Sequence, residues 1–344
     1  MVKAEGKGKE KAQGPPNPPK LALLGDVGAT KTILAQGWLE GERVKVEVQT
    51  VKRYVSANFP HLPALLQAFF QETQGPKPHL ACLGVPGPVV QGQCRITNLP
   101  WLVEARSLAS HLGLDKVLLI NDVAALAWAF SGKPGPKTSI LHPGQPLPEF
   151  PLLVVAAGTG LGAATLVSRG TAYTVLASEA GHCHFASTTS QDDALRNALA
   201  QEFGHVSYER VVSGPGLLRV YRFFSGDQLP QDLILAPDPP AQILARARQD
   251  EKAKEAVGFV ARHFGTFVGN LALTYLPHAG IALAGSLALA LLGKGAPPGS
   301  RQAFLAALHR KGRQQELVAS FPLLLVTDPL APLSGCGQAL RRVL

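Results

Sequence analysis

Apolar positions in this chain come in short runs punctuated by Gly and Asp, and their spacing predicts alternating strands and helices. From Leu21 the run LALLGDVG reads as a strand ending in a tight turn. A second strand follows near residues 32–38, then the Glu40-Gly41-Glu42 turn and a third strand, VKVEVQTV. A helical stretch over residues 60–74 comes next, then the strand LACLGVP, a helix near residues 104–112, and the strand VLLIND running into another helix. The order is βββαβαβα.

Residues 131–151, rich in Pro and Gly, read as a linker or surface loop, after which a similar order restarts. The strand PLLVVAAG enters the turn Gly158-Thr159-Gly160, AATLVS forms a second strand, and a third lies near residues 173–177, with helices after it. At Gly280 the strand IALAG meets another glycine turn. Two halves that each open with strand, Gly/Thr turn and strand predict an α/β protein whose two lobes face each other across a cleft. The chain has 344 residues, more than one hydrophobic core usually supports, which agrees with two domains.

Composition narrows the class. Apolar residues are 46% and charged residues 17% of the chain, a balance suited to a large core and not to disorder. Net charge is +9, part of it in the Lys-, Gly- and Pro-rich residues 1–20, which read as a disordered basic tail without a secretory core or a helix-turn-helix. A basic balance suits anionic ligands such as nucleotides; no Lys/Arg stripe with interleaved aromatics supports nucleic acid or a membrane surface. The longest apolar run, residues 280–293, is too short to span a bilayer. Cys82, Cys94, Cys183 and Cys336 form no CxxC pair, so neither zinc nor a disulfide framework is expected, and a reducing cytoplasm fits.

Five clusters carry candidate chemistry. Gly25-Asp26-Val27-Gly28-Ala29-Thr30-Lys31 sits at a turn between apolar strands, where backbone N–H groups can close around phosphate and Asp26 can meet magnesium directly or through water; an ordinary Asp/Gly hairpin turn is the competing reading. Gly158-Thr159-Gly160-Leu161-Gly162 repeats that chemistry in the second half, and its spacing is not the GxGxxG of a dinucleotide fold. Asn121-Asp122 ends an apolar strand just before a helix, where a carboxylate can take a proton from an attacking hydroxyl, or where Asp122 can simply cap the helix. The fourth cluster is Ser178-Glu179-Ala180-Gly181-His182 and the fifth runs from Glu209 to Gly216; both offer donors and acceptors suited to sugar hydroxyls. His182 with His184 can alternatively be structural, and a third metal ligand is not evident.

Taken in order, GDVGATK, GVPGPV, TNLPW, IND, GTGLG, SEAGH, FGHVSYERVVSGPGL, GNLALTY and LAGS resemble the signature blocks of bacterial glucokinase over nearly all of residues 21–344. That resemblance implies two ribonuclease-H-like domains of the actin, hexokinase and heat-shock ATPase superfamily: a small domain of residues 21–131 completed by a C-terminal helix near 330–344, and a large domain of residues 132–329. It implies phosphorylation of the 6-hydroxyl of glucose by ATP with Mg2+, another hexose or a non-catalytic sugar sensor being the alternatives. It makes Asp122 the general base and puts Asn98, Asn121, Glu179, His182 and Glu209 on the sugar. Asp26, Gly28, Thr30, Lys31, Gly158, Thr159, Gly160, Gly285 and Ser286 fall on the nucleotide, with no direct side-chain ligation of the metal. It further implies a cytoplasmic enzyme whose partners are glucose and ATP, often as a homodimer. The chain departs from the family at Ala29, Lys31-Thr32, Ala180, Cys183-His184 and Ala284-Gly285-Ser286, and it lacks the CxCGxxGC zinc motif of the related repressor and sugar kinase group.

Overall fold

The structure is a computed structural model that describes residues 18–344 apart from residues 97, 98, 171 and 227. Its first half runs β1 (Lys20–Val27), β2 (Lys31–Glu40), β3 (Arg43–Val46), β4 (Lys52–Val55), α1 (Leu62–Glu72), β5 (Leu80–Val85), β6 (Gln93–Arg95), β7 (Leu102–Glu104), α2 (Ala105–Leu112), β8 (Lys116–Asn121) and α3 (Asp122–Ala129). Its second half has β9 (Thr138–His142), β10 (Leu152–Ala157), β11 (Leu161–Arg169), β12 (Ala172–Ser178), α4 (Ser190–Phe203), α5 (Gly214–Phe224), α6 (Gln231–Ile234), α7 (Pro239–Arg246) and α8 (Glu251–Tyr275). It continues with β13 (Gly280–Ala284), α9 (Ser286–Leu292), α10 (Ser300–His309), α11 (Gln315–Ser320), β14 (Leu323–Val326) and α12 (Ala331–Arg342).

The strands form two six-stranded sheets of matching topology. The first is ordered β3-β2-β1-β5-β8 with β4 also on β2; the second is β12-β11-β10-β13-β14-β9. In each, a central strand pairs antiparallel with its hairpin partner and parallel with the strand that follows the helical crossover: β1 with β2 and β5, β10 with β11 and β13. The duplication suggested by the two strand-turn-strand openings is thus present in the connectivity.

Alternation along the strands decides the layers. In the first sheet Leu23, Ala81 and Leu83 face α1 and α2, while Ala22, Leu24 and Cys82 face α12. In the second, Leu153, Val155 and Leu283 face α5 and α8, while Val154, Ala164 and Ala282 face α3. Helices α3 and α12 therefore lie between the sheets, and both faces of each sheet are covered. Two-sided burial is why β5 and β13 read as unbroken apolar runs instead of alternating ones. At the outer layer Asp192 ties α4 to α8, accepting from the Thr188 and Thr189 N–H groups, from Arg262 and from His263 Nε2.

Several expectations need correction. The third strand ends at Val46, and a 3-10 turn at Val48–Thr50 leads into β4, which pairs with β2. The short β6–β7 hairpin is additional. The stretch read as a linker contains β9, whose pairing with β14 is set by a distant strand and not by its own Pro- and Gly-rich flanks.

Candidate active site

A cleft of about 320 Å3 opens where the strand ends of the two sheets approach each other, and both halves of the chain line it. From the first half come Gly28, Thr30 and Lys31 at the β1–β2 turn, Pro86 and Gly87 after β5, and Asn121 and Asp122 at the β8–α3 junction. From the second come Gly158, Thr159 and Gly160 at the β10–β11 turn, Ser178, Glu179 and His182 after β12, Glu209, and Gly285 after β13.

Each glycine turn is closed by the N–H of its glycine. Gly28 N–H donates to Lys31 O (3.0 Å) and Gly158 N–H to Gly160 O (2.9 Å), so these two groups close their own turns. A Cβ on Gly28 would lie 2.7 Å from Lys31 O, which is why glycine stands there. Ser56 braces the first turn by donating to Gly28 O (2.7 Å) while bonding Thr32 Oγ1 (2.9 Å), a role no local sequence signal marks. Gly285 has φ +92° and approaches Ala157 O so closely that a Cβ would meet it at 2.3 Å. Ala29 and Ala180, which replace glycines of the family pattern, are not among the positive-φ residues, so neither costs backbone strain.

Asn121, and not Asp122, caps α3: its Oδ1 accepts from the Val123 and Ala124 N–H groups, both at 3.0 Å, while Nδ2 lies 3.5 Å from Gly87 O. Asp122 occupies the first helical position, with Oδ1 accepting from Val123 N–H at 2.8 Å, and it lines the cleft. The capping that competed with a chemical role for Asp122 is thus supplied by its neighbour.

Glu209 lies in a 3-10 turn, Tyr208–Arg210, and its Oε2 accepts from Leu161 N–H at 2.9 Å. A Cβ on Gly160 would come within 2.8 Å of that oxygen, so this glycine makes room for Glu209 as much as for any ligand. Glu179 follows β12 and approaches His182 Nε2 at 3.8 Å. Gly181 packs on Leu161 O, where a Cβ would meet it at 1.9 Å. The second glycine turn is therefore wedged against both carboxylate-bearing segments.

Burial between the lobes pushes the Asp122 carboxyl up to about 7, with further upward pressure from Asp26 and Glu179 and a partial offset from the Val123 N–H. Burial pushes Asp26 up to about 6, opposed by Lys31. Glu179 is also raised, by burial first, with His182 lowering and Glu209 raising it. A desolvated carboxylate lining the cleft, Asp122, with a second, Asp26, buried near it and opposed by Lys31, suits a site that receives a cation or a proton.

Asp26 and Ser286 are not on the cleft wall; Ser286 starts α9 and stands behind Gly158, with its Oγ 3.5 Å from where a Gly158 Cβ would be. Asn98 lies outside the described residues. Pro86, Gly87 and Ser178 line the cleft beyond the expected set, and their signal was the GVPGPV and SEAGH blocks. Among the described residues no group of three or more His, Cys, Asp or Glu side chains that could hold a metal ion is present. No helix of the described residues is long and apolar enough to cross a membrane.

Two duplicated α/β lobes, with a glycine turn from each and a desolvated carboxylate between them, define a two-domain kinase of the actin-like ATPase fold. The glucokinase family profile matches residues 23–343, and the chain belongs to the glucokinase family. It is 32% identical to a glucokinase of Nostoc punctiforme over 350 aligned positions, covering 94% of this chain and 99% of the relative. The fold matches the crystal structure of a glucokinase from an Antarctic psychrotroph at TM-score 0.74 and 27% identity, over 94% and 99% of the two chains. It also matches a Streptomyces griseus glucokinase solved with glucose and AMPPNP, at TM-score 0.61 and 20% identity, over 94% and 99%.

Proposed function

We infer that this protein is an ATP-dependent glucokinase, moving the γ-phosphoryl group of ATP onto the 6-hydroxyl of glucose. The observation that carries the reading is Asp122, held at the first turn of α3 with one oxygen engaged and its carboxyl pushed up to about 7, where Glu179, His182 and Glu209 from two other segments converge on it and the adjacent Asn121.

In this reading the sugar hydroxyls are met by the Asn121 amide, the Glu179 and Glu209 carboxylates and the His182 ring. Asp122 takes the proton of the attacking hydroxyl, and a base near neutrality is matched to that task. The phosphate donors in this reading are N–H groups of the two turns, Ala29 and Thr30 on one wall and Thr159 and Gly160 on the other, with Lys31 adding positive charge. Gly285 and Ser286 border the nucleoside. The desolvated Asp26 near Asp122 would hold, through water, the magnesium that accompanies the nucleotide, and that ion would supply neutralisation of phosphate charge. Lobe closure, hinged where the chain passes from α3 to β9 and back into α12, brings the walls together and excludes water. The domains in this scheme are residues 21–131 with the C-terminal helix, and residues 132–329. The setting is the cytoplasm.

The direct test is ADP release with ATP and magnesium over a panel of hexoses. Glucose should give the highest kcat/KM; a larger value for mannose, fructose or an amino sugar would reassign the acceptor, and no sugar-stimulated release would remove the kinase reading.

A pH prediction follows from Asp122. The base works ionised, so with its value raised to about 7 the competent fraction is lost as pH falls through that point. We expect kcat/KM for glucose, with ATP below saturation and corrected for nucleotide ionisation, to fall about tenfold per pH unit below about pH 7 and to level off above it. A profile flat from pH 5 to 8 would contradict the raised value.

A further inference from the structure

We propose that His205 is a positioning residue for the sugar site, holding the main chain of His182 in place through its Nε2–H, with His184 against its Nδ1. The inference rests on the reading of His182 as a sugar-binding residue.

His205 belongs to the block FGHVSYER, of which the mechanism above uses only Glu209. Its ring Nε2 lies 2.9 Å from His182 O, and its Nδ1 lies 3.3 Å from His184 Nε2. A carbonyl only accepts, so Nε2 of His205 carries the proton, and in the neutral ring Nδ1 is then an acceptor. His184 completes the chain by donating from its own Nε2. The order is His184 Nε2–H to His205 Nδ1, then His205 Nε2–H to the His182 carbonyl, with the two rings edge-to-face at 4.3 Å.

Backbone bonds explain why this contact matters. Segments around 183–185 and 206–208 are zipped by Phe185 N–H to Val206 O (2.9 Å) and Tyr208 N–H to Cys183 O (3.0 Å), with His184 bridging Ser207. Phe185 anchors the buried side of the loop by packing on Tyr208 and His263. His182 lies just past the zip, in a 3-10 turn held from within by its N–H to Glu179 O (3.0 Å). Among the described residues only the His205 ring donates to its carbonyl. The zip also joins the segment bearing Glu179 and His182 to the one bearing Glu209, so one imidazole steadies both sugar-binding segments from the solvent side. His205 is exposed, and its replacement removes no core packing.

The experiment compares His205→Ala, His205→Gln and His182→Ala, measuring KM for glucose and for ATP, thermal midpoint, and the ring 15N shifts of the histidines. His205→Ala should raise KM for glucose about three- to tenfold, as expected for one lost hydrogen bond, with KM for ATP and the thermal midpoint unchanged. His205→Gln, which keeps an N–H donor, should recover part of the loss, and the His205 shifts should report a protonated Nε2. Equal weakening of glucose and ATP, a fallen thermal midpoint, or no effect of His205→Ala while His182→Ala raises KM for glucose would each overturn the proposal. If His182→Ala itself leaves KM for glucose unchanged, the underlying reading of His182 fails instead.

Discussion

Replacing Asp122 by Ala should lower kcat by about 10^2- to 10^4-fold, the range a positioned general base contributes, while glucose affinity changes far less. The four other polar groups of the sugar pocket remain in place, and Asn121 still caps α3 through its own Oδ1. Asp122→Asn should be nearly as inactive, since an amide cannot take the proton. It should keep or raise the thermal midpoint, because it removes a desolvated carboxylate that faces Asp26 and Glu179. Steady-state kinetics of both variants, with equilibrium glucose binding, check this. Equal losses in turnover and in sugar binding would count against Asp122 as the base.

Gly335→Ala should be strongly damaging, since among the described glycines an added Cβ meets its nearest atom most closely there. Its Cβ would stand 1.7 Å from Ala125 O and 2.9 Å from Ala129 N, both backbone atoms of α3, so no side chain can turn aside. Helices α3 and α12 are packed between the two sheets and have no free direction in which to separate. A destabilisation of about 3 kcal/mol is expected, at the upper end for overpacking, together with reduced kcat because α3 carries Asn121 and Asp122 at its N-terminus. Gly258→Ala is the internal control: it lies within α8, its Cβ would meet nothing within 4 Å, and it should be neutral or stabilising by up to about 1 kcal/mol. Denaturant unfolding of the pair distinguishes close helix packing from the general preference of helices for alanine.

How far the chain could be read beforehand depends on the range of each signal. Runs such as LALLGDVG and PLLVVAAG are local: apolar residues followed by Gly or Asp specify a strand and its turn within a few positions, and both appear where expected. β4 (KRYV) and the β6–β7 pair (QCR, LVE) are too short and polar to stand out, and they exist because a partner strand supplies their hydrogen bonds. β9 was hidden among Pro and Gly for the same reason. The Asn121-Asp122 pair was visible as a candidate, yet which of the two caps the helix depends on rotamers fixed by the β8–α3 corner.

By itself, then, the sequence determined the element types, the duplicated strand-turn-strand openings, the two glycine turns and the residue chemistry available for sugar and phosphate, because these are properties of neighbouring residues. Only the tertiary structure decided that Glu209 meets the N–H of Leu161, 48 positions earlier in the chain. It likewise decided that Gly335 is demanded by a helix more than two hundred residues away, and that the Asp122 carboxyl is driven to about 7. Desolvation and close backbone approach depend on what the rest of the chain places around a residue, and that is set when the sheets and helices pack.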